Sequence, residues 1–224
     1  KMADELTASL TGWHGSDATF RPEDFGLVPG EKATRAIQSA IDKAGEHGGT
    51  VRLSGGDYVS GTLILRSNVR LMVDSGSRLL ASTDLADYPE QIARRLTVQD
   101  TNMGMNQSLI FAEGCENICI CGGGELDGQG TRANFPGDET CHGTPGRPFL
   151  MRIIDCRDVH VHDITLRSAA CWMENYLNCD RVLLERVTVR NQTNYNNDGI
   201  DIDGCRDVII RNCDVESGDD ACCF

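Results

Sequence analysis

The chain has 224 residues and a net charge of −13 at pH 7. That length suffices for one sizeable core, and the acidic surplus excludes nucleic acid and an anionic membrane surface as partners. No run approaches the ~18 apolar residues of a membrane span, and the opening stretch through Phe25 lacks the apolar segment of a signal peptide.

In chain order, residues 1–20 read as an N-terminal extension. Ile37, Ala40, Ile41 and Ala44 then recur at helical spacing, and Gly48-Gly49 stops the run. Strand-like segments follow. Thr50-Val51-Arg52-Leu53 leads through Gly55-Gly56 to Leu63-Ile64-Leu65, and Val69 to Val73 alternates before breaking at Ser75-Gly76. Abundant glycine, at 24, and sparse aromatics, at 5%, suit short strands and tight turns.

The decisive pattern is an internal repeat. CRDVHVHDITL from Cys156, CDRVLLERVTV from Cys179 and CRDVIIRNCDV from Cys205 superpose without gaps. Apolar residues fall at the same four places in each: Val159, Val161, Ile164 and Leu166; Val182, Leu184, Val187 and Val189; Val208, Ile210, Cys213 and Val215. A looser copy starts at Cys115 with Ile118 and Ile120, then departs into Gly122-Gly123-Gly124. Spacing of two marks a strand with one inward face, and the step of three between the pairs marks a corner. Such a unit buries its apolar face only by stacking on its neighbours, which makes a solenoid. Leucine-rich repeats share the period but need a leucine and asparagine pattern missing here. The expected fold is therefore all-β, a right-handed parallel β-helix forming one domain over residues 1–224, with the early helix capping its first coil. Residues 130–148 break the period and are expected to loop out beside a binding cleft.

All 11 cysteines lie from Cys115 onward. The odd number and the adjacent Cys222-Cys223 pair fit free, buried thiols better than a disulfide framework. Cys119-Ile120-Cys121 lacks a second pair at zinc-site spacing, so no metal and no cofactor is expected. His160 and His162 flank an inward valine and are expected to face outward, solvated or forming a ladder rather than acting in catalysis. The glycine run from Gly122 to Gly130 resembles a calcium-binding nonapeptide, but a single copy reads as a turn.

The candidate chemistry lies near the C-terminus. Laying Asn196-Asn197-Asp198-Gly199-Ile200-Asp201-Ile202 over Gly218-Asp219-Asp220-Ala221-Cys222-Cys223-Phe224 offsets the chain by one coil and puts Asp198 on Asp220. Stacked strands are ~4.8 Å apart, and like charges so placed are destabilising and raise one pKa. Function explains the arrangement better than stability does. Glycoside hydrolysis needs one carboxylic acid for the leaving oxygen and a second carboxylate to activate water or attack the sugar. Adjacent Asp219 and Asp220 should point to opposite faces of a straight strand, so both reach one cleft only if Ser217-Gly218 turns. Trp172, one coil from Asp198, suits either a sugar platform or a buried packing role.

These residues resemble glycoside hydrolase family 28, the polygalacturonase family. Asn196-Asn197-Asp198-Gly199-Ile200-Asp201 is similar to the family's Asn-Thr-Asp-Gly-x-Asp motif, with Asn197 in place of threonine, and Ser217-Gly218-Asp219-Asp220 is similar to its Gly-Asp-Asp motif. Further likeness to the opening of bacterial members lies in Asp24-Phe25-Gly26, in Ser82 to Tyr88 and in Gly122 to Gly130. The resemblance implies inverting hydrolysis of α-linked galacturonan or a related pectic chain. Asp219 would be the general acid, and Asp198 and Asp220 would hold and deprotonate the attacking water. Asp201 receives no catalytic role; its outward position suits turn stabilisation or substrate contact equally. The resemblance also suggests secretion or a periplasmic location. The family pattern continues past the paired aspartates to Gly-His-Gly and Arg-x-Lys segments that grip the substrate carboxylate. This chain stops at Phe224, so a truncated family member that binds an anionic polymer weakly is expected. Two alternatives remain: a calcium-dependent polysaccharide lyase, with the aspartates as metal ligands, and a non-catalytic carbohydrate-binding β-helix.

Overall fold

The computed structural model describes residues 2–95, 104–137 and 146–224. The chain opens with α1 (Met2–Thr11), a short strand β1 (Thr19–Phe20) and α2 (Thr34–His47). Coils of parallel strand follow. The first holds β2 (Gly49–Leu53), β3 (Asp57–Ser60) and β4 (Leu63–Ile64), and the second β5 (Val69–Val73), β6 (Arg78–Ala81) and β7 (Ser108–Glu113). The third holds β8 (Glu116–Cys121), β9 (Glu125–Asp127) and β10 (Phe149–Ile154). In the fourth and fifth the first two strands fuse, giving β11 (Arg157–Arg167) with β12 (Glu174–Leu177), then β13 (Asp180–Asn191) with β14 (Ile200–Asp203). The sixth holds β15 (Arg206–Arg211), β16 (Asp214–Ser217) and β17 (Cys222–Cys223).

Each strand pairs in parallel with its counterpart one coil away. Because β11 and β13 run around a corner, two walls merge into an 11-stranded sheet, and the third wall is a six-stranded sheet. This is a right-handed parallel β-helix. The repeat lies in register as its spacing requires: Val159, Val182 and Val208 stack, as do Val161, Leu184 and Ile210, and Leu166, Val189 and Val215. Ile118 and Ile120 join the first two columns from the coil before. The step of three is the corner between walls, where Asp163, Arg186 and Asn212 take positive φ of 49°, 52° and 54°. Aspartate and asparagine tolerate that left-handed conformation. Arg186 does not favour it, and is tied down by two hydrogen bonds to Asp163 of the preceding coil, at 2.7 and 2.8 Å.

A second corner is more uniform. Between the six-stranded wall and the next coil stand only two residues, Gly114-Cys115, Asp155-Cys156, Asn178-Cys179 and Gly204-Cys205 in four successive coils. The first of each pair has positive φ, from 50° to 63°. The second stacks its thiol on the next, so that Cys115 N–H donates to Cys156 Sγ and Cys179 N–H to Cys205 Sγ. Cys115, Cys156, Cys179 and Cys205 are free thiols, and here they fill a narrow column as small apolar side chains. The third junction varies instead, from Gly61-Thr62 in the first coil to residues 82–107 in the second.

The helix α2 packs on the first coil with Ile37, Ala40, Ile41 and Ala44 fully buried. Each isoleucine so placed contributes ~1.5–3 kcal/mol. Gly48, at φ 79°, ends the helix. The helix α1 has no counterpart in the sequence reading, because its ten residues carry no strong apolar face. It lies against β11, β13 and β15 on the outside of the coils.

Candidate active site

Asp198 and Asp220 sit where β14 and β17 enter the six-stranded wall. Gly199 N–H donates to Asp220 O at 2.8 Å and Met173 N–H to Asp198 O at 3.1 Å, so residues 172, 198 and 220 stack in one column. The glycine after Asp198 is required for this approach: a Cβ at Gly199 would stand 2.4 Å from the Ala221 carbonyl oxygen. Gly199→Ala is therefore expected to cost about 1–3 kcal/mol through overpacking. A lower urea midpoint at unchanged slope would show it.

The parity difficulty is resolved by a bend at Gly218-Asp219 between β16 and β17. Gly218 N–H donates to Asn191 O and Asn197 O at 2.7 and 3.1 Å, drawing the turn inward, and Ser217 Oγ donates to Asp219 O at 2.7 Å. One carboxylate oxygen from each of Asp198, Asp219 and Asp220 then lies within 4.8 Å of the others. The three candidate residues are thus brought together. Asp198 is buried, whereas Asp219 and Asp220 are exposed. Burial, aided by the charges of Asp201 and Asp219, pushes the Asp198 carboxyl up to about 7. Its Oδ1 accepts no hydrogen bond from the described protein groups.

Buried asparagines hold this arrangement. Asn191 donates to Cys171 O and Asp198 O at 3.0 and 2.8 Å and accepts from Ala169 N–H at 2.9 Å. Asn197 donates to Ala169 O and Cys171 O and accepts from Thr193 N–H. Asn197 is therefore a brace that turns the chain into Asp198. The loop before it is anchored by Asn194, which donates to Gly130 O and Phe135 O, and by Arg147, which donates to Tyr195 O and Asn196 Oδ1. The start of the 130–148 segment thus packs against the loop that carries the aspartates; its residues 138–145 lie outside the described set.

Two acids gain a place that sequence alone did not give them. Asp201 is buried, accepts from Cys223 Sγ at 2.6 Å, and is pushed up to about 6 by burial. Glu174 pairs in register with Ile200 and is fully buried. Burial pushes it up to about 8, and Tyr176 donates to its Oε2 at 2.6 Å. The signal was the same one-coil alignment: setting Trp172-Met173-Glu174 on Asp198-Gly199-Ile200 puts a glutamate in an inward row. Trp172 is half-buried, meets Phe149 edge-on at 5.4 Å, and borders an open groove with Asp201, Asp203 and Cys223. The oxygen set of Asp198, Asp219 and Asp220 also has the dimensions of a hard-cation site.

Comparison with known proteins follows the same lines. The profile of "Glycosyl hydrolases family 28" matches residues 67–223. A probable polygalacturonase of Vitis vinifera is 28% identical over 88% of this chain and 42% of its own length. An endo-polygalacturonase of Pectobacterium carotovorum is 27% identical over 84% of this chain and 50% of its own length. The chain therefore spans about half the length of these curated relatives. The solved structure of the Yersinia enterocolitica family 28 exopolygalacturonase superposes with a TM-score of 0.79 at 24% identity, over 92% of this chain and 44% of that one.

Proposed function

The chain belongs to glycosyl hydrolases family 28, and from that premise we propose that it carries the acid–base machinery of an enzyme hydrolysing α-linked galacturonan or a related pectic polysaccharide. The observation that carries this reading is a buried carboxyl holding its proton to about pH 7, with an oxygen within 4.8 Å of oxygens on two exposed carboxylates. Carboxyls this close share protons, so the proton held in the cluster can pass to the exposed Asp219 and leave Asp198 and Asp220 charged toward water. In the proposed reaction Asp219, exposed on its bend, protonates the glycosidic oxygen as the C1–O bond breaks. Asp198 and Asp220 orient a water and take its proton as its oxygen attacks C1 from the opposite face.

Inversion requires ~6.5–9.5 Å between the acid and base carboxyl groups, whereas ~5–5.5 Å suits a nucleophile and a retained configuration. The nearest oxygens here fall within 4.8 Å, so the proposal requires the exposed Asp219 side chain to swing outward over bound sugar. Proton NMR of polygalacturonate during cleavage tests this directly. The β-anomer should form first at the new reducing end. Initial α-anomer would assign retention, and a conjugated unsaturated product absorbing in the ultraviolet would assign a lyase and overturn the hydrolase reading.

A further inference from the structure

Away from the aspartates, two thiols and an imidazole converge on the outer face of the third and fourth coils. Ile118 and Ile120 point into the core, so Cys119 and Cys121 project outward from β8, yet both are buried. His160 pairs in register with Cys119, and His162, two residues on, comes against both thiols. His162 Nε2 lies 3.5 Å from Cys119 Sγ, and donor atoms of Cys119, Cys121 and His162 all lie within 4.8 Å of one another. The two histidines face outward, and of the two expected arrangements they take the ladder: they stack at 4.1 Å, and residues 10–14 line the cavity over them.

The imidazole is also oriented. His162 Nδ1 lies 2.7 Å from Asp163 Oδ2, and Asp163 is itself gripped by Arg186. A carboxylate that accepts from Nδ1 leaves the Nε2 lone pair aimed at the thiols, as behind many metal-bound histidines. Around a tetrahedral zinc ion, with Zn–S ~2.3 Å and Zn–N ~2.0–2.1 Å, neighbouring donor atoms stand roughly 3.5–3.8 Å apart. Thiols buried merely as small apolar groups account for Cys119 and Cys121 separately, but not for a histidine held by a carboxylate and directed between them.

We propose that Cys119, Cys121 and His162 form a binding site for a zinc-class divalent ion, joining two successive coils beneath the N-terminal segment. The fourth position opens on a cavity of about 170 Å³ bordered by His14, Arg70, His160 and Trp13. His14 Nε2 is engaged by Ser9 O at 2.6 Å and His160 lies outside the converging donor set, so that position takes water. Linear spacing hides the site because the third ligand comes 41 residues after Cys121, the length of that coil, rather than from a second cysteine pair. Binding displaces both thiol protons, so affinity falls in acid.

Titrating the reduced chain with cobalt(II) tests the proposal. One equivalent should bind, with an intense thiolate-to-cobalt charge-transfer band and tetrahedral ligand-field bands, and zinc should displace it. In the unaltered chain zinc should also shield two thiols from a thiol-specific reagent, a readout that needs no variant to fold. Cys119→Ser and Cys121→Ser should abolish the charge-transfer signal or weaken binding at least tenfold. Asp163→Asn, which only positions the histidine, should weaken it about 10–100-fold, and Asp219→Asn should leave it unchanged. Octahedral cobalt without the sulfur band, equal thiol reactivity with and without zinc, or metal content surviving the double serine change would each overturn it.

Discussion

Asp198→Asn is expected to lower turnover of polygalacturonate by about 10²–10⁴-fold while raising the melting temperature of the same preparation above pH 7. The two effects have one cause. Asp198 is buried, faces Asp219 and Asp220, and has its carboxyl pushed up to about 7. An amide keeps the shape and the backbone stacking on Asp220 but can neither take a proton from water nor repel its neighbours. A rise from 3.8 to about 7 corresponds, at ~1.4 kcal/mol per unit, to a ceiling of roughly 4 kcal/mol held against the folded state at neutral pH. Reducing-end assays and thermal melts on one sample measure both. Turnover within fivefold of the parent would remove Asp198 from the chemistry, and a lower melting temperature at pH 8 would show that the carboxylate stabilises the fold instead.

The second large effect is a loss of stability as pH rises from about 4.5 to 8. Glu174, Asp198 and Asp201 have folded values raised to about 8, 7 and 6 by burial. Below their ordinary values they are protonated in both states, and nothing is lost. Across the window the unfolded chain has released protons that the folded chain still holds, so stability falls by up to ~1.4 kcal/mol per pH unit for each group until its folded value is passed. Opposite behaviour comes from Asp163 and Asp57, which Arg186 and Arg78 hold below the usual carboxylate range. Their contribution is lost in stronger acid. Maximum stability is thus expected near pH 4–5, and Glu174→Gln should flatten the alkaline side of the curve. Chemical denaturation at several pH values measures it; a midpoint that climbs steadily to pH 8 would contradict the burial of these acids.

Most of the frame could be read from the chain because a solenoid turns three-dimensional neighbours into a fixed sequence offset. Stacking on Cys156, Cys179 and Cys205 predicted the registers seen for Val159, Val182 and Val208, and the same offset put Asp198 on Asp220. The turn at Gly218 was foreseen only as a requirement, since strand parity alone would separate Asp219 from Asp220. What stayed hidden has physical reasons. The helix α1 lacks a strong apolar face, so periodicity gave no sign of it. Glu174 belongs to no motif, and only its register with Ile200 and the hydroxyl of Tyr176 that donates to it reveal it inside the coil. The meeting of Cys119, Cys121 and His162 spans a coil of 41 residues, far longer than the 23 and 26 of the regular repeat, which defeats any search by short spacing.

The three junctions of each coil differ in how far they tolerate change. One extra residue at a two-residue turn such as Asn178-Cys179 would exchange the inner and outer faces of everything downstream, so the winding forbids drift there. The junction that runs from Gly61-Thr62 to residues 82–107 absorbs inserted chain without disturbing any rung. Asp198 and Asp219 sit on that same edge. The walls around the acids can therefore be lengthened, shortened or recharged while the scaffold that aligns the carboxylates stays untouched.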